Sequence, residues 1–428
     1  MMSKVKRTAK LLLQVIVAII LGTVLMIAVY SLPVDVMREH VQESNIIQYR
    51  ETDTYYWAPW IVSSKLDNFT DAIMLNNAVF EGTGSVVDDA MNNPYVNVDG
   101  LEQTRSLVKY VSDDSANKIV INYPRYWHGY LVWLKPLLLV MNYADIRVLF
   151  MFIQMFLVLF ATLEIYKKSG YKAAVPFVFS MCCLNTISTA MCMQYACMYM
   201  ITLTAALLLT KFELYKGDKY IYLFLWIGIS TAFFDFFTYP ILGIGINLIL
   251  LLLFTADNWR EDIKRIVYSS VSWLTGYAGM WGGKWIMASI LTDSNVLKDG
   301  MDSAVSRSVG AAGTEVEGSS AWDVITNNIE QLFSTPLMWI IAILAILLIG
   351  LCLLRVFRIR ANWVRIASLA VVALYPFGWY SVVRNHSTVH SWMTQRNLAV
   401  TVFAISIMIT SSLYRDNNAK LTIKKMPQ

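Results

Sequence analysis

Charged residues are scarce in this chain. Only 15% of its 428 residues are Asp, Glu, Lys or Arg, whereas 57% are hydrophobic. This balance, with a mean hydropathy of +0.50, excludes a chain of two or three soluble domains and indicates an integral membrane protein. The formal net charge is +5, but the Lys and Arg residues are spread through short loops. That distribution argues against a nucleic-acid partner and is the one expected from orientation in a bilayer.

Cysteine and histidine are also scarce, with five and four residues respectively. Cys182, Cys183, Cys192 and Cys197 fall in one apolar region and Cys352 in another, with no His or carboxylate beside them at ligand spacing. We therefore expect apolar packing rather than a disulfide framework or a zinc site. The chain lacks an internal repeat as well, which weighs against the inverted-repeat transporters.

A basic stretch at the N-terminus precedes an apolar run over residues 11–32. At about 20 residues, this run is longer than the apolar region of a cleaved signal peptide, and no small-residue cleavage site follows it. It is long enough to cross the hydrocarbon of a bilayer. We expect residues 1–32 to form a cytoplasmic N-terminus and a retained first transmembrane helix.

Nine further apolar segments follow between clusters of charge. They lie at 146–166, 173–189, 196–210, 220–236, 239–255, 266–291, 336–354, 363–383 and 398–414. When the N-terminus is placed in the cytoplasm, every alternate loop carries several Lys or Arg residues, and the opposite loops hold most of the acids. The sequence therefore predicts an all-α polytopic membrane protein with about ten transmembrane helices and both termini in the cytoplasm.

Two segments between the expected spans are too long to be simple turns. The predicted organisation places an extracytoplasmic loop at 33–145, transmembrane helices two to seven at 146–291, a second extracytoplasmic loop or lid at 292–335, helices eight to ten at 336–414 and a cytoplasmic tail at 415–428. Within the second loop, the Gly, Ser and Glu residues of 310–320 are typical of a mobile loop.

The first long loop contains two stretches with helical character. Apolar residues spaced along 65–80 predict a helix that could lie on the membrane surface. The stretch 126–141 is apolar and aromatic, but Lys135 and Pro136 interrupt it. Its Trp and Tyr residues favour an interfacial or re-entrant helix at the depth of the lipid headgroups.

Several isolated charges near the expected span ends have both a functional and a structural interpretation. Asp67 and Asp71 are four residues apart, so on a helix they share one face. Either carboxylate could serve as a base or a metal ligand, or both could belong to the solvated face of a surface helix. Asp235 lies among four phenylalanines and is either functional or a helix cap. Lys284 lies between two tryptophans and either binds an anion or reaches toward the headgroups.

The densest polar cluster precedes the last expected span. Residues 384–396 contain Arg384, His386, His390 and Arg396. Arginine offers paired donors to phosphate oxygens, and His, Ser and Thr add further hydrogen bonds, so the cluster favours a phosphate site. His386 and His390 could bind a metal on a helix, but no third ligand is near in sequence. A loop that contacts lipid headgroups without catalysis is the alternative.

One amino-terminal span, a long outer loop with an acidic helical motif and many later spans with outer basic residues resemble the GT-C superfamily of membrane glycosyltransferases. The segments LDNFTD at 66–71, YWHGY at 126–130, FDFFTYP at 234–240 and HSTVH at 386–390 are similar to patterns in bacterial members that build cell-surface polysaccharides. The family's acidic motif is often an adjacent pair, whereas here it is split between Asp67 and Asp71.

The resemblance implies a hexosyl or pentosyl transferase of a bacterial plasma membrane. Its donor would be a polyprenyl-phosphate sugar, and its acceptor a cell-surface glycan or lipid-linked molecule on the extracytoplasmic face. In-line displacement would invert the anomeric centre. A divalent metal is possible, no other cofactor is expected, and the remaining partner is membrane lipid.

The resemblance also assigns roles to residues of this chain. Asp67 or Asp71 would be the catalytic base. The donor phosphate would be bound by Arg384, His386, Arg396 and Lys284, and the substrates would be oriented by Arg125, His128, Asp235 and His390.

Two other functions remain open at this point. A transporter or flippase for a lipid-linked saccharide would place charges along the bilayer midplane, whereas here most lie toward one face. A non-catalytic scaffold of a polysaccharide assembly complex would use the aromatic residues of the outer loops as its contact surface.

Overall fold

The computed structural model describes residues 2–44, 50–113, 115–309, 320–333, 335–354 and 357–415. Within these ranges the chain is predominantly helical, with small two-stranded antiparallel sheets. The loop expected to be mobile lies outside the described residues except for Ser320, and so does the expected cytoplasmic tail beyond Arg415.

A region of short helices and strands lies between the first helix and the remaining, predominantly helical part of the chain. The first half contains α1 (Met2–Tyr30), α2 (Asp35–Glu43), β1 (Thr54–Tyr56), β2 (Lys65–Asp67), α3 (Asn68–Ala78), α4 (Val86–Asn92), β3 (Tyr95–Val98), α5 (Gln103–Ser112), β4 (Lys118–Ile121), α6 (Leu131–Leu138), α7 (Tyr143–Ser169), α8 (Tyr171–Cys182), α9 (Thr186–Met191) and α10 (Met193–Lys211). The second half contains α11 (Lys219–Phe234), α12 (Ile241–Leu253), α13 (Trp259–Leu291), α14 (Val296–Val309), α15 (Ala321–Leu332), α16 (Thr335–Leu353), β5 (Phe357–Ile359), α17 (Trp363–Ala373), α18 (Tyr375–Val382), α19 (Arg384–Val389), α20 (Ser391–Thr394), α21 (Ala399–Ser412) and β6 (Leu413–Arg415). The strands pair as β1 with β2, β3 with β4 and β5 with β6.

Three helices of the described chain are long and apolar enough to cross a membrane. They are Val5–Tyr30, Tyr143–Ser169 and Met193–Lys211. Four shorter apolar helices are Tyr171–Cys182, Lys219–Phe234, Ile241–Leu253 and Trp339–Leu353. This composition is compatible with the expected all-α membrane protein, but helix length and hydropathy do not support the expected count of about ten spans.

Local sequence explains why some expected spans are not single helices. The segment 173–189 divides between α8 and α9, where Asn185 adopts a left-handed conformation with φ of 58° and caps α9 through the amide of Ser188. The segment 363–383 divides between α17 and α18. Pro376 lies in the first turn of α18, where its missing N–H does no harm, whereas it would remove a hydrogen bond from a continuous helix.

The described residues of 33–145 fold into a mixed cap of short helices and strands, which we call the cap segment. The helix predicted within 65–80 is present as α3, but its expected place on the membrane surface is wrong. Asp71 through Ala78 are all buried, because α3 packs against α5, α6 and β3 within the cap segment. The spacing of the apolar residues predicts one apolar face, whereas this helix is enclosed on nearly all sides.

Two fully buried lysines donate to helix ends of the cap segment, Lys135 from within the segment and Lys284 from α13 in the rest of the chain. The Lys135 Nζ of α6 donates to the carbonyl of Ala78 at 2.8 Å, at the end of α3. The Lys284 Nζ of α13 donates to the carbonyl of Met91 at 2.8 Å, in the last turn of α4. Terminal carbonyls of a helix lack intrahelical donors and carry partial negative charge, so each ammonium group stabilises a helix end.

Two glycines allow close backbone contact in the most extensive helix pair, α11 with α13. A Cβ atom at Gly228 would lie 2.1 Å from the carbonyl oxygen of Trp273, and one at Gly276 would lie 2.2 Å from that of Leu225. Small residues let two helix backbones approach in this way in membrane proteins. Neither glycine therefore has room for a side chain.

We predict that Gly276→Ala lowers the free energy of unfolding by about 2 kcal/mol, because the new methyl group separates two backbones. Gly282→Ala on the same helix is the matched control, since nothing lies within 4 Å of a Cβ atom there. The control should be neutral or stabilising by less than about 1 kcal/mol, from helix propensity alone. Thermal unfolding of the purified protein in detergent measures both, and equal melting temperatures for the two variants would contradict the packing described.

Candidate functional site

A cavity of about 500 Å³ lies between the cap segment and the segments that precede α12 and α21. This volume is within the range of small-molecule sites. Its polar and aromatic lining includes Asp53, Thr54, Lys65, Asp67, Thr70, Tyr123, Tyr126, Gln194, Phe236, Arg307, Asn385, His386, His390 and Trp392. An acidic residue of the first long loop and the histidines before the last helix therefore share one enclosure.

Asp67 stands at the junction of β2 and α3. Its backbone pairs with Thr54 across the β1–β2 sheet, and its carboxylate accepts from the Thr70 amide at 3.2 Å and the Thr70 hydroxyl at 3.0 Å. Aspartate is among the preferred residues at this N-cap position. Burial raises the pKa of the Asp67 carboxyl to about 6, although the hydrogen bonds from Thr70 oppose the shift. A carboxyl with this pKa can exchange a proton near neutral pH.

Asp71 points away from this cavity. Its carboxylate accepts hydrogen bonds from the Tyr143 hydroxyl and from the amides of Met193, at 2.9 Å, and Gln194, at 3.2 Å. These amides are the first two of α10, so Asp71 of α3 caps a helix that begins more than a hundred residues later. Burial raises the pKa of Asp71, whereas these donors oppose the shift. This contact places Gln194 in the cavity wall.

Two cationic residues of the cavity lining, Lys65 and Arg307, were not among the residues singled out from the sequence. The Lys65 Nζ lies 3.8 Å from the ring centroid of Trp392, and the Arg307 guanidinium lies about 5 Å from those of Tyr126 and Phe237. Lys65 directly precedes the LDNFTD segment, which is a signal that could have identified it. Arg307 lies on α14 without any motif, so only the tertiary structure reveals it.

His386 and His390 are adjacent in the cavity, with ring centroids 4.7 Å apart. Burial lowers the pKa of His386 well below its ordinary value, and its Nε2 lies 2.8 Å from the Phe237 carbonyl. Burial, with smaller effects of Arg307 and Lys65, lowers the pKa of His390 to about 4. Both imidazoles are therefore neutral at pH 7, so they offer hydrogen bonds rather than positive charge.

Two arginines expected in the phosphate site do not line the cavity in the described chain. Arg396 is fully buried, and its guanidinium donates to the carbonyls of Leu184, Trp392 and Ser63. It also stacks 3.9 Å from the ring centroid of Tyr195. Arg384 begins α19 and is only partly buried.

Other residues expected at the site bind elsewhere. His128 lies between the Tyr130 hydroxyl, at 2.8 Å, and the Tyr123 carbonyl, at 2.9 Å, and burial lowers its pKa to about 3. Asp235 accepts from the amide and hydroxyl of Thr238 in the turn before α12. Lys284 donates to a carbonyl of α4. These three residues therefore stabilise the structure around the cavity.

An apolar groove of about 340 Å³ adjoins the cavity along α13 and α14. Its aromatic walls come from Phe237, Tyr277, Trp281 and Trp285, and the highly exposed Leu274 lies on its rim. Arg307 lines both the groove and the cavity. Arg125, expected to orient substrates, also lines the groove and pairs with Asp299 of α14 at 3.3 Å.

The described residues contain no group of three or more His, Cys, Asp or Glu residues that could hold a metal ion. The cysteines of this part of the chain are free thiols.

No family model, curated protein or solved structure matches this chain.

The two aspartates of the LDNFTD segment should differ in their contribution to stability. We predict that Asp71→Asn lowers the free energy of unfolding by about 2 kcal/mol, because an amide cannot accept all the hydrogen bonds that this buried carboxylate accepts. Asp67→Asn should change it by less than about 1 kcal/mol, because Asn caps a helix about as well as Asp. Thermal unfolding in detergent tests the pair, and a larger loss in Asp67→Asn would refute the assignment.

Proposed function

We propose that this chain is a membrane glycosyltransferase that takes a sugar from a polyprenyl-phosphate donor and transfers it to a glycan or lipid-linked acceptor. The resemblance in sequence suggests this activity, and the position of Arg307 supports it. Because Arg307 lines both a polar cavity and an apolar groove, a molecule with an anionic head and an apolar tail could occupy both at once. A lipid-linked phosphate has that form.

The proposal includes the finer membrane topology. The ten crossings would be α1, α7, α8 with α9, α10, α11, α12, α13, α16, α17 with α18, and α21. Both termini would lie in the cytoplasm of a bacterial cell, and the cap segment would lie outside the plasma membrane. The alternation of Lys and Arg between successive loops supports this orientation.

In the proposed reaction, the oxygen of the acceptor hydroxyl attacks the anomeric carbon, and the Asp67 carboxylate takes the proton from that hydroxyl. The bond from that carbon to the phosphate oxygen breaks, and the electron pair leaves with the polyprenyl phosphate. Arg307 and Lys65 stabilise the negative charge of the leaving phosphate. His386 and His390 add hydrogen bonds as neutral imidazoles. Attack opposite the leaving group inverts the anomeric centre.

Of the residues implied by the resemblance, this mechanism keeps Asp67, His386 and His390 in contact with the substrates. Asp71, His128, Asp235 and Arg396 become positioning residues, because their side chains bind other parts of the chain. Lys284 has the same role at the end of α4. Arg307 and Lys65 replace Arg384, Arg396 and Lys284 as the cations of the phosphate site.

Replacing the base and the phosphate ligand separately tests the proposal. We predict that Asp67→Asn lowers transfer at least about 100-fold, the usual contribution of a general base, while donor binding stays within about twofold. Arg307→Met should weaken donor binding about tenfold or more, because a charge-assisted hydrogen bond is lost. Transfer and binding are measured in nanodiscs with short-chain prenyl-phosphate sugars.

The matched controls are Asp99→Asn and Arg105→Met, which change exposed residues of the cap segment. Both should behave as the unaltered protein. Full transfer activity in Asp67→Asn would contradict the mechanism. If that variant instead moved lipid-linked saccharide across vesicle membranes as fast as the unaltered protein, the chain would be a flippase, and absence of donor binding in every form would favour a scaffold.

The pH dependence should report the Asp67 carboxyl. The base must be deprotonated, and burial raises its pKa to about 6, so we predict that kcat/KM falls as pH decreases through about 6 and is level above it. An active Asp67→Glu variant should show a similar fall of kcat/KM at low pH, whereas the residual rate of Asp67→Asn should not fall. A profile that is flat between about pH 5 and 7 would exclude Asp67 as the base.

A further inference from the structure

Three polar atoms in one wall of the cavity have no hydrogen-bond partner within the described structure. They are the Oε1 of Gln194, the Nδ1 of His390 and the Nε1 of Trp392. The three residues all line the cavity, and Gln194 is only 4% exposed. Buried polar groups are normally paired, so this arrangement indicates a ligand that supplies the missing partners.

The wall shares the cavity lining with Lys65 and Arg307 and with Asp67. The charges of Arg307 and Lys65 both act on His390, and all three residues line the cavity. Trp392 is in contact with Lys65 and, at a ring-centroid distance of 5.1 Å, with His390. The backbone amide of Gln194 donates a hydrogen bond to the Asp71 carboxylate of α3. In an in-line displacement, the sugar lies between the leaving phosphate and the base, so a wall in the same cavity can contact it.

The chemistry of the wall is that of an uncharged, hydroxyl-bearing ligand. The Gln194 amide offers an acceptor, and among the described residues its Nε2 has only the Met393 sulfur, at 3.6 Å, as a partner. The indole N–H of Trp392 is a donor, and the neutral imidazole of His390 offers a nitrogen that donates or accepts according to its tautomer. Sugar hydroxyls both donate and accept, so one ring can satisfy all three groups.

We propose that Gln194, His390 and Trp392 form the subsite that recognises the transferred sugar, and that this sugar is a neutral hexose or pentose with free hydroxyl groups. This inference rests on the proposed function and adds which part of the donor is bound by the wall and which part by Arg307 and the groove. Arg307 and the groove bind the prenyl phosphate, whereas the Gln194 wall distinguishes donors that carry a sugar from those that do not.

The test compares two kinds of probe on the 428-residue chain in nanodiscs. The first is farnesyl phosphate, and the second is a panel of farnesyl phosphates that carry mannose, glucose, galactose, arabinose or glucuronic acid. We expect at least one neutral sugar probe to bind the unaltered protein about tenfold more tightly than farnesyl phosphate. Gln194→Leu and Trp392→Phe should each remove most of that difference, and affinity for farnesyl phosphate should stay within about twofold.

Gln395→Leu is the matched control, because Gln395 is a fully buried glutamine whose amide also lacks a described partner but does not line the cavity. It should preserve the preference for the sugar. The inference is overturned if the unaltered protein binds sugar probes no better than farnesyl phosphate, if it prefers only the glucuronic acid probe, or if both cavity variants keep the preference. Failure of every probe to bind the unaltered protein would instead refute the proposed function itself.

Discussion

The hydrogen bonds of the buried Asp71 carboxylate are the contact on which the cavity depends. This side chain joins α3, from the cap segment, to the first amides of α10 and to the Tyr143 hydroxyl at the start of α7. A buried carboxylate requires such partners. Asp67 precedes α3, which carries Asp71, and the Gln194 amide donates to Asp71. This contact therefore brings Asp67 and Gln194 into the lining of one cavity without a direct bond between them.

Three buried cations of this fold complete the ends of helices and loops. Lys135, Lys284 and Arg396 all donate to backbone carbonyls, which would otherwise be unsatisfied in an apolar surrounding. Lys65 and Arg307 are different, because they line the cavity, where they lie against aromatic rings. A cation against an aromatic face is held in place but keeps donors available for an anion.

Sequence reasoning located the cavity through two motifs but could not sort the residues within them. The apolar spacing over 65–80 predicts a helix correctly, yet whether the Asp67 and Asp71 carboxylates face a cavity or another helix depends on packing against α10. The same limitation applies to Lys284 and Arg396, whose carbonyl partners are distant in sequence. Arg307 belongs to no pattern, so its role depends on how α14 packs on α13. Hydropathy indicated the membrane class, but local breaks such as that at Asn185 shorten individual helices.

A structure of the Asp67→Asn variant with a short-chain prenyl-phosphate sugar would test the central claim most directly, because the slow variant should retain its donor. The account predicts the phosphate against Arg307, the prenyl chain along the aromatic groove of α13 and α14, and the sugar between Arg307 and residue 67. Phosphate density beside Arg384 or another surface of the chain, with the cavity empty of donor, would contradict it.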